Sequence, residues 1–398
     1  MTYNFDEVID RTGTNAMNTD GFRGYIFHAH PEVTFPFRDE EFIRMWVADM
    51  EFATPPEILD AVKARVDRRI LGYTRIFDPA YFEAFEGWCR QHYGWSPRKE
   101  HLVTSPGIIP ALNELAGFIC RPGEQVLILT PSYAYFKYAA DHNGLATVTS
   151  DLCERDGHYT MDFEDLERKA ADPRTTLCIF CNPHNPSGRV WTTEELQRFG
   201  AICLKHGLRI ISDEIHCDLL RNGQSHTPLA KVFPDTDRIV TCMAPSKTFN
   251  LAGLMFSNII IADPELLAVW NARHYAMENP LSIAAAQAAY SHGHEWLRQL
   301  RDYLDGNFAF TRDFLARRLP GTGFRISEAT YLAWVNVRAY LPPETDLPMF
   351  FAQRAGVLLE GGDMFVANSQ GFIRLNLACP RAMLAEGLER IARALADR

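Results

Sequence analysis

The chemically suggestive residues of this chain stand where apolar runs stop. Arg238-Ile239-Val240-Thr241-Cys242-Met243 has the character of a buried strand and leads directly into Ala244-Pro245-Ser246-Lys247. A lysine held at the end of a core strand is partly desolvated, which lowers its amine pKa and makes it a nucleophile. Taken alone, the segment describes a lysine on a surface loop equally well. Four further runs end in the same manner. Gln125–Leu129 reaches Pro131-Ser132-Tyr133, and Thr176–Phe180 reaches Asn182-Pro183-His184-Asn185. Leu208–Ser212 reaches Asp213-Glu214-Ile215-His216, and Leu102–Ser105 leads into Pro106-Gly107-Ile108-Ile109 at a helix start.

The elements that must position these groups follow from the pattern between them. Helices are expected from Ala111 to Ile119, from Tyr133 to about His142, over Asp162–Ala171 and over Thr192–His206, alternating with the apolar runs and with a short strand at Leu145–Thr149. Near-continuous apolar strands separated by helices imply a mostly parallel sheet covered on both faces. In such a sheet ligands bind beyond the carboxyl ends of the strands, so all five run ends share one edge. Upstream, residues 1–45 are polar, aromatic and irregular, Met45–Met50 is the first strand candidate, and Pro55-Pro56 and Asp78-Pro79 each open a helix. After Pro264 the pattern changes to a long helical region up to Leu319 with a break at Gly293. Short runs at Phe324–Ile326, Leu332–Val337, Val357–Leu359 and Phe372–Asn376 follow, then a last helix, Ala382–Leu395. We therefore expect an α/β fold with a large domain over 48–288, a smaller α+β domain over 289–398, and an N-terminal arm, 1–47, folding against the smaller one.

A lysine nucleophile, a carboxylate, an amide, an aromatic ring and a helix N-terminus together suit one cofactor, pyridoxal 5′-phosphate. It needs a lysine for its Schiff base and an acid to keep its pyridine nitrogen protonated, so that the ring can accept electrons from the substrate Cα. Asp213 is placed for the acid. Asn185 could hydrogen-bond the ring hydroxyl oxygen, with His216 sharing that task, and Tyr133 could stack on the ring. The backbone N–H groups at Gly107-Ile108-Ile109 offer a phosphate site at a positive helix end.

Composition excludes several other classes. With 398 residues, 47% of them hydrophobic, the chain is long enough for two domains of a soluble globular protein. The net charge of −10, without a basic stripe, argues against nucleic acid or an anionic membrane as partner. No apolar run approaches a membrane span, and the N-terminus lacks the layout of a signal peptide, so a cytoplasmic protein is expected. The nine cysteines are scattered and often lie inside apolar runs, as buried thiols in a reducing compartment do. Cys178 and Cys181 form a CxxC within one such run, where residues three apart face opposite sides of a strand; core packing is expected, not metal. His292-Gly293-His294-Glu295 resembles a metal cluster in composition only, and exposed histidines are expected there.

Asn182-Pro-His-Asn-Pro-Ser-Gly188, Ser212-Asp-Glu-Ile-His-Cys-Asp218 and Ala244-Pro-Ser-Lys-Thr-Phe-Asn-Leu-Ala-Gly253 resemble the fold-type I pyridoxal-phosphate enzymes of the class I/II aminotransferase superfamily. Trp46-Val-Ala-Asp-Met-Glu-Phe52 and Arg374-Leu-Asn-Leu-Ala-Cys-Pro380 narrow the resemblance to the bacterial cystathionine β-lyase branch, the MalY/PatB group of C–S lyases. It runs from about Asn4 to the C-terminus. The resemblance implies Lys247 as Schiff-base lysine and general base, Asp213 as pyridinium partner, and Asn185 at the ring hydroxyl. It also implies Tyr133 stacked on the ring, and Ser246 with the Ile108 and Ile109 backbone at the phosphate. Arg374, with Asn185 beside it, would hold the substrate α-carboxylate. Tyr73 would reach the phosphate of a neighbouring subunit, making a homodimer part of the site. The implied reaction is α,β-elimination from a cystathionine- or cysteine-like substrate, giving thiol, pyruvate and ammonia. Transamination shares its early steps and is the alternative; a regulatory binding protein keeping the cofactor fold is a third reading. Two departures bear on this. Many related aminotransferases carry an arginine eight residues after the lysine, where this chain has Met255. Pro131-Ser-Tyr-Ala-Tyr-Phe136 and Asn18–Arg23, both expected to border the substrate, differ from the usual pattern of the branch.

Overall fold

The computed structural model describes residues 2–28, 33–275 and 277–396. Its centre is an eight-stranded sheet built from β1 (Leu102–Ser105), β2 (Gln125–Thr130), β3 (Ala146–Arg155), β4 (His158–Met161), β5 (Thr175–Cys181), β6 (Arg209–Asp213), β7 (Ile239–Met243) and β8 (Ser257–Ile261). The spatial order is β1-β8-β7-β6-β5-β2-β3-β4. From β7 through β3 every neighbour is parallel, whereas β8 runs antiparallel to both β1 and β7, and β4 antiparallel to β3. Alternate residues feed two cores, because successive side chains of a strand point to opposite faces. Val126, Ile128, Ile179 and Ile211 pack on one face with the helix Ile108–Ile119, and Leu127, Leu129, Phe180 and Ile210 pack on the other with the helix Thr193–Lys205. Cys178 and Cys181 divide between these two cores as expected.

A three-stranded antiparallel sheet, β9 (Leu332–Asn336), β11 (Phe372–Asn376) and β10 (Glu360–Gly361) in that order, forms a second centre. The helices His294–Arg318, Leu347–Ala355 and Arg381–Ala396 cover it through Phe308, Phe351 and Leu388. At the N-terminus, Phe5 packs against Phe52, Trp296 and Tyr303, and Ile43–Arg44 pairs in parallel with Val357–Leu358.

Several expectations need correction. The strand at Leu145–Thr149 continues to Arg155 and turns back through Asp156-Gly157 into β4; both turn residues have positive φ (51° and 73°), the conformation of a tight hairpin turn that an Asp-Gly pair favours. The β–α rhythm gives no place to β8, which runs antiparallel: between β7 and β8 the chain forms only the 3-10 turn Ala252–Leu254, not the α-helix that usually carries a parallel crossover. The helix before Ile119 begins at Ile108, since Pro110 is tolerated in a first turn. The helical region after Pro264 ends a first helix at Arg273 and starts another at Pro280, besides the break at Gly293, with Asn279 capping the helix Pro280–His292 through Leu281 N–H. Phe324–Ile326 forms no strand. Of the two histidines at 292 and 294, only His292 is exposed; His294 stacks on Trp88 and hydrogen-bonds His92 at 2.8 Å.

Met45–Met50 is not a strand either, and the reason bears on the site. Met45 still pairs through its backbone with Leu358 and Asn376, but from Val47 to Met50 the carbonyl groups are claimed by side chains instead of a ladder. Asn376 Nδ2 donates to Val47 O (2.8 Å) and Asp49 O (2.7 Å), Tyr331 Oη to Ala48 O (2.9 Å), and Asn250 Nδ2 to Met50 O (2.9 Å). The segment is thereby a strap tying β11 to the loop after Lys247. Replacing Asn376 by alanine leaves the Asp49 carbonyl without its donor, so the expected cost is on the order of 2–3 kcal/mol in urea unfolding, with faster proteolysis within 45–52. An unchanged unfolding midpoint would contradict this role of the strap.

Candidate active site

The carboxyl ends of β2, β5, β6 and β7 open on a cavity of about 470 Å³ that β11 closes from the side. Lys247 follows β7 and is part-buried; its Nζ donates to Ala48 O at 2.7 Å. Burial lowers its pKa, with the Arg374 charge adding to that and Asp49 opposing it, so the amine is prepared to act as a base. The next residue, Thr248, donates to Asp218 at 2.7 Å, and Asp218 also accepts from Trp88 Nε1 at 3.0 Å and from Tyr93 Oη. This buried carboxylate fixes the backbone from which Lys247 projects.

Asp213 ends β6, locked between Cys181 and Cys242 in the ladder. Among the described residues its Oδ1 accepts only from Ile215 N–H, at 3.1 Å, and burial pushes its pKa up to about 7, with Glu214 adding to the effect and Lys247 opposing it. The adjacent Glu214 turns away, accepting from Ser212 Oγ (2.8 Å), Leu229 N–H (3.0 Å) and His226 (2.7 Å). One carboxylate of this Asp-Glu pair therefore serves the cavity and the other braces the strand end. His216 is buried and lines the cavity; burial, then Lys247 and Arg374, lower its pKa to about 3, so it is neutral at physiological pH.

Asn185 reaches the same cavity from the loop after β5. A Cβ on Gly188, whose φ is +67°, would lie 2.4 Å from Ser327 Cβ, so this loop packs closely only with glycine there. Asn185 Oδ1 accepts from Arg374 Nη1 at 3.1 Å. Arg374, on β11, is 2% exposed and forms an ion pair with Glu360, directly across from it on β10. Tyr133 lines the cavity from the end of β2, its ring 5.0 Å from that of Tyr135. Gly107 enters the helix Ile108–Ile119 with φ +147°, bringing the first-turn amides of Ile108 and Ile109 to the cavity wall with Ser246. Tyr73 is apart from this group, 97% exposed on the surface loop before the helix Pro79–Tyr93. Sequence reasoning missed Glu360, Tyr25 and Ala48, all of which line the cavity. Glu360 carried the same signal as Asp213, a carboxylate at the end of an apolar run.

The donor set fits pyridoxal 5′-phosphate. His216 Nδ1 and Arg374 Nε are buried with no partner among the described residues, and the Asp213 carboxylate has a single donor. Lys247 could hold the aldehyde carbon, Asp213 the ring nitrogen, and Ser246 with the Ile108 helix end the phosphate. An acid held at about 7, against its ordinary 3.8, keeps its proton after the unfolded chain has lost it. Folding of cofactor-free protein then becomes costlier as pH rises from about 4 to about 7, and no costlier above that. Asn at this position is neutral throughout. Cofactor-free Asp213→Asn is therefore expected to gain stability over wild type across that window, up to a ceiling on the order of 4 kcal/mol. Calorimetric melting of both proteins from pH 5 to 8 checks this, and a pH-independent difference would contradict it.

Comparison with known proteins agrees with the fold and the cavity. The family described as aminotransferase class I and II matches residues 40–391. The chain is 39% identical to cystathionine beta-lyase PatB of Bacillus subtilis, covering 98% of this chain and 100% of that one. It is 29% identical to protein MalY of Escherichia coli, covering 99% of each. The crystal structure of the PLP-bound C–S lyase from Staphylococcus hominis superposes with a TM-score of 0.95 at 49% identity, covering 99% of this chain and 98% of that one. The superposition extends over nearly the whole chain, so the mostly parallel central sheet and the smaller sheet beside it belong to a fold shared with that structure. The chain belongs to the class I and II aminotransferase family, with the fold of the type I pyridoxal-phosphate enzymes.

Proposed function

We propose that this protein is a pyridoxal 5′-phosphate-dependent C–S β-lyase, cleaving cystathionine- or cysteine-like amino acids to thiol, pyruvate and ammonia. The observation that carries the reading is the convergence of the Lys247 amine, the buried Asp213 carboxylate and the buried Arg374 guanidinium on one cavity. The named activities of the relatives above support the choice of a C–S bond. So does Met255, in place of the arginine many related aminotransferases carry near the phosphate.

When bound, the cofactor draws electron density from the substrate Cα. The chain's own residues do the rest. Asp213 holds a proton at the ring nitrogen, where its ionised form gains the counter-charge that burial otherwise denies it. Arg374 and Asn185 fix the α-carboxylate, which orients the Cα–H bond toward Lys247. The Lys247 amine, its pKa lowered by burial, takes the Cα proton; the C–S bond then breaks, with the electron pair leaving on sulfur. Tyr133 bounds the ring face, and His216, neutral, can accept or donate a hydrogen bond at the ring hydroxyl.

The same reading includes a homodimer in which Tyr73 serves the partner's phosphate. Ile70, Leu71, Tyr73, Phe77 and Tyr275 are each more than half exposed, an apolar surface on two loops joined by the bridge Thr74↔Glu278. The division into a large unit over 48–288 and a smaller one from the two ends is part of it too.

Purified protein is expected to release thiol and pyruvate in equal amounts from L-cystathionine with no keto-acid acceptor. Nil thiol release, with turnover of an amino acid plus 2-oxoglutarate, would assign transamination instead. Tyr73→Ala and Lys247→Ala are each expected to lower activity at least tenfold, and mixing the two to restore part of it, because a hybrid dimer has one intact site. No recovery in a mixture shown to exchange subunits would remove Tyr73 from the shared site.

A further inference from the structure

Arg374 is already neutralised before any substrate arrives. Glu360 sits opposite it in the β10–β11 ladder, and the two side chains pair at 8% and 2% exposure. Asn185 Oδ1 and Trp46 O, the latter at 3.5 Å, take further guanidinium hydrogens, and Arg374 stacks over the Phe365 ring at 5.1 Å. The cavity thus balances Lys247 and Arg374 against Asp213 and Glu360, with Asp213 committed to the ring nitrogen in the proposed function. A substrate α-carboxylate brings one more negative charge to a guanidinium whose counter-ion is in place. Two carboxylates cannot both stay ionised on one buried arginine without a large repulsion.

Glu360 is buried, with its carboxyl on the cavity wall. A Cβ on the following Gly361 would meet Asp363 Oδ1 at 2.4 Å and Pro348 Cδ at 2.7 Å, so the backbone behind it is closely packed. The titratable and charged groups around its carboxyl are Arg374, Lys247, Tyr25 and Tyr133, none an alternative cation outside the cavity. We propose that Glu360 takes up a proton when a substrate carboxylate binds Arg374, so that Glu360 is an internal competitor setting the affinity for that carboxylate. Once protonated, its O–H can donate to the incoming carboxylate and become part of the recognition site. Burial already pushes the Glu360 carboxyl upward despite its arginine partner, in the direction that favours the uptake. Glu360 is on this account a positioning residue: it governs substrate binding and leaves the proton transfer at Cα to Lys247.

The inference rests on Arg374 as the carboxylate site, and the test separates the two. The probe is 3-(methylthio)propanoate, a substrate-like carboxylate with no amine to titrate or react. Its dissociation constant from the holoenzyme is measured by calorimetry from pH 6.5 to 9, beside KM and kcat for L-cystathionine. Because only the protonated fraction of Glu360 is competent, wild-type affinity is expected to weaken by up to about tenfold per pH unit above the Glu360 titration. Glu360→Gln keeps the shape without the charge. It is expected to bind the probe about tenfold more tightly at pH 8.5, to lose that pH dependence, and to lower KM with kcat within about twofold. Equal or weaker probe binding in Glu360→Gln would overturn the proposal. If that variant does not fold, a pH-independent wild-type dissociation constant would overturn it instead. Arg374→Ala is the control. Loss of probe binding there, with Glu360→Gln like wild type, refutes the competitor alone; unchanged binding in Arg374→Ala refutes the carboxylate site.

Discussion

The structure is organised around the burial of charge at one edge of a sheet. Lys247, Asp213, Arg374 and Glu360 share one cavity, and all but the part-buried Lys247 are buried. Removing isolated ions from water costs several kcal/mol each, so such a set persists only when its members pair and are hydrogen-bonded. Here each charge has a defined neighbour: Lys247 the Ala48 carbonyl, Arg374 the Glu360 carboxylate and Asn185, Asp213 the Ile215 amide. Asp213 has only that one donor among the described residues, and burial pushes its pKa up to about 7. A ligand carrying a protonated ring nitrogen would supply the counter-charge that this carboxylate lacks.

Holding those groups in register is the work of segments far from each other in the chain. β5, β6 and β7 deliver Asn185, Asp213 and Lys247 from parallel neighbours, whereas β11 and β10 deliver Arg374 and Glu360 from another sheet. The strap over Met45–Met50 joins the two, with Asn376 and Tyr331 gripping it from the smaller sheet and Lys247 and Asn250 from the loop after β7. Asp218 does the same beneath Lys247, accepting from Trp88, Tyr93 and Thr248. Positions that touch no substrate thereby fix those that do.

Much of this was legible in the sequence because buried parallel strands leave a strong signal. Apolar runs cut off by Tyr133, Asn185, Asp213 and Lys247 marked the strand ends, and the rule for open sheets gathered them on one edge. The elements that escaped are those where side chains replace the backbone ladder or where a strand lacks the βα rhythm. Met45–Met50 looked like a strand since its residues are apolar, and nothing local announces that Asn376 takes its carbonyls. β8 follows Lys247 without an intervening helix, so the alternation gave no place for it. The Asp156-Gly157 hairpin was readable and was overlooked. Glu360 carries a local signal, a carboxylate at the end of an apolar run, but its pairing with Arg374 does not: that partner lies fourteen positions on, and a pairing across an antiparallel ladder is set by register, which short runs specify weakly.

The claim on which everything else turns is that Lys247 is the residue that bonds the cofactor. Purified protein loaded with pyridoxal 5′-phosphate can be reduced with borohydride, digested and mapped by mass spectrometry. The expected result is a phosphopyridoxyl group on the peptide containing Lys247 and on no other lysine. A modification placed elsewhere, or none in protein that retains C–S lyase activity, would contradict it.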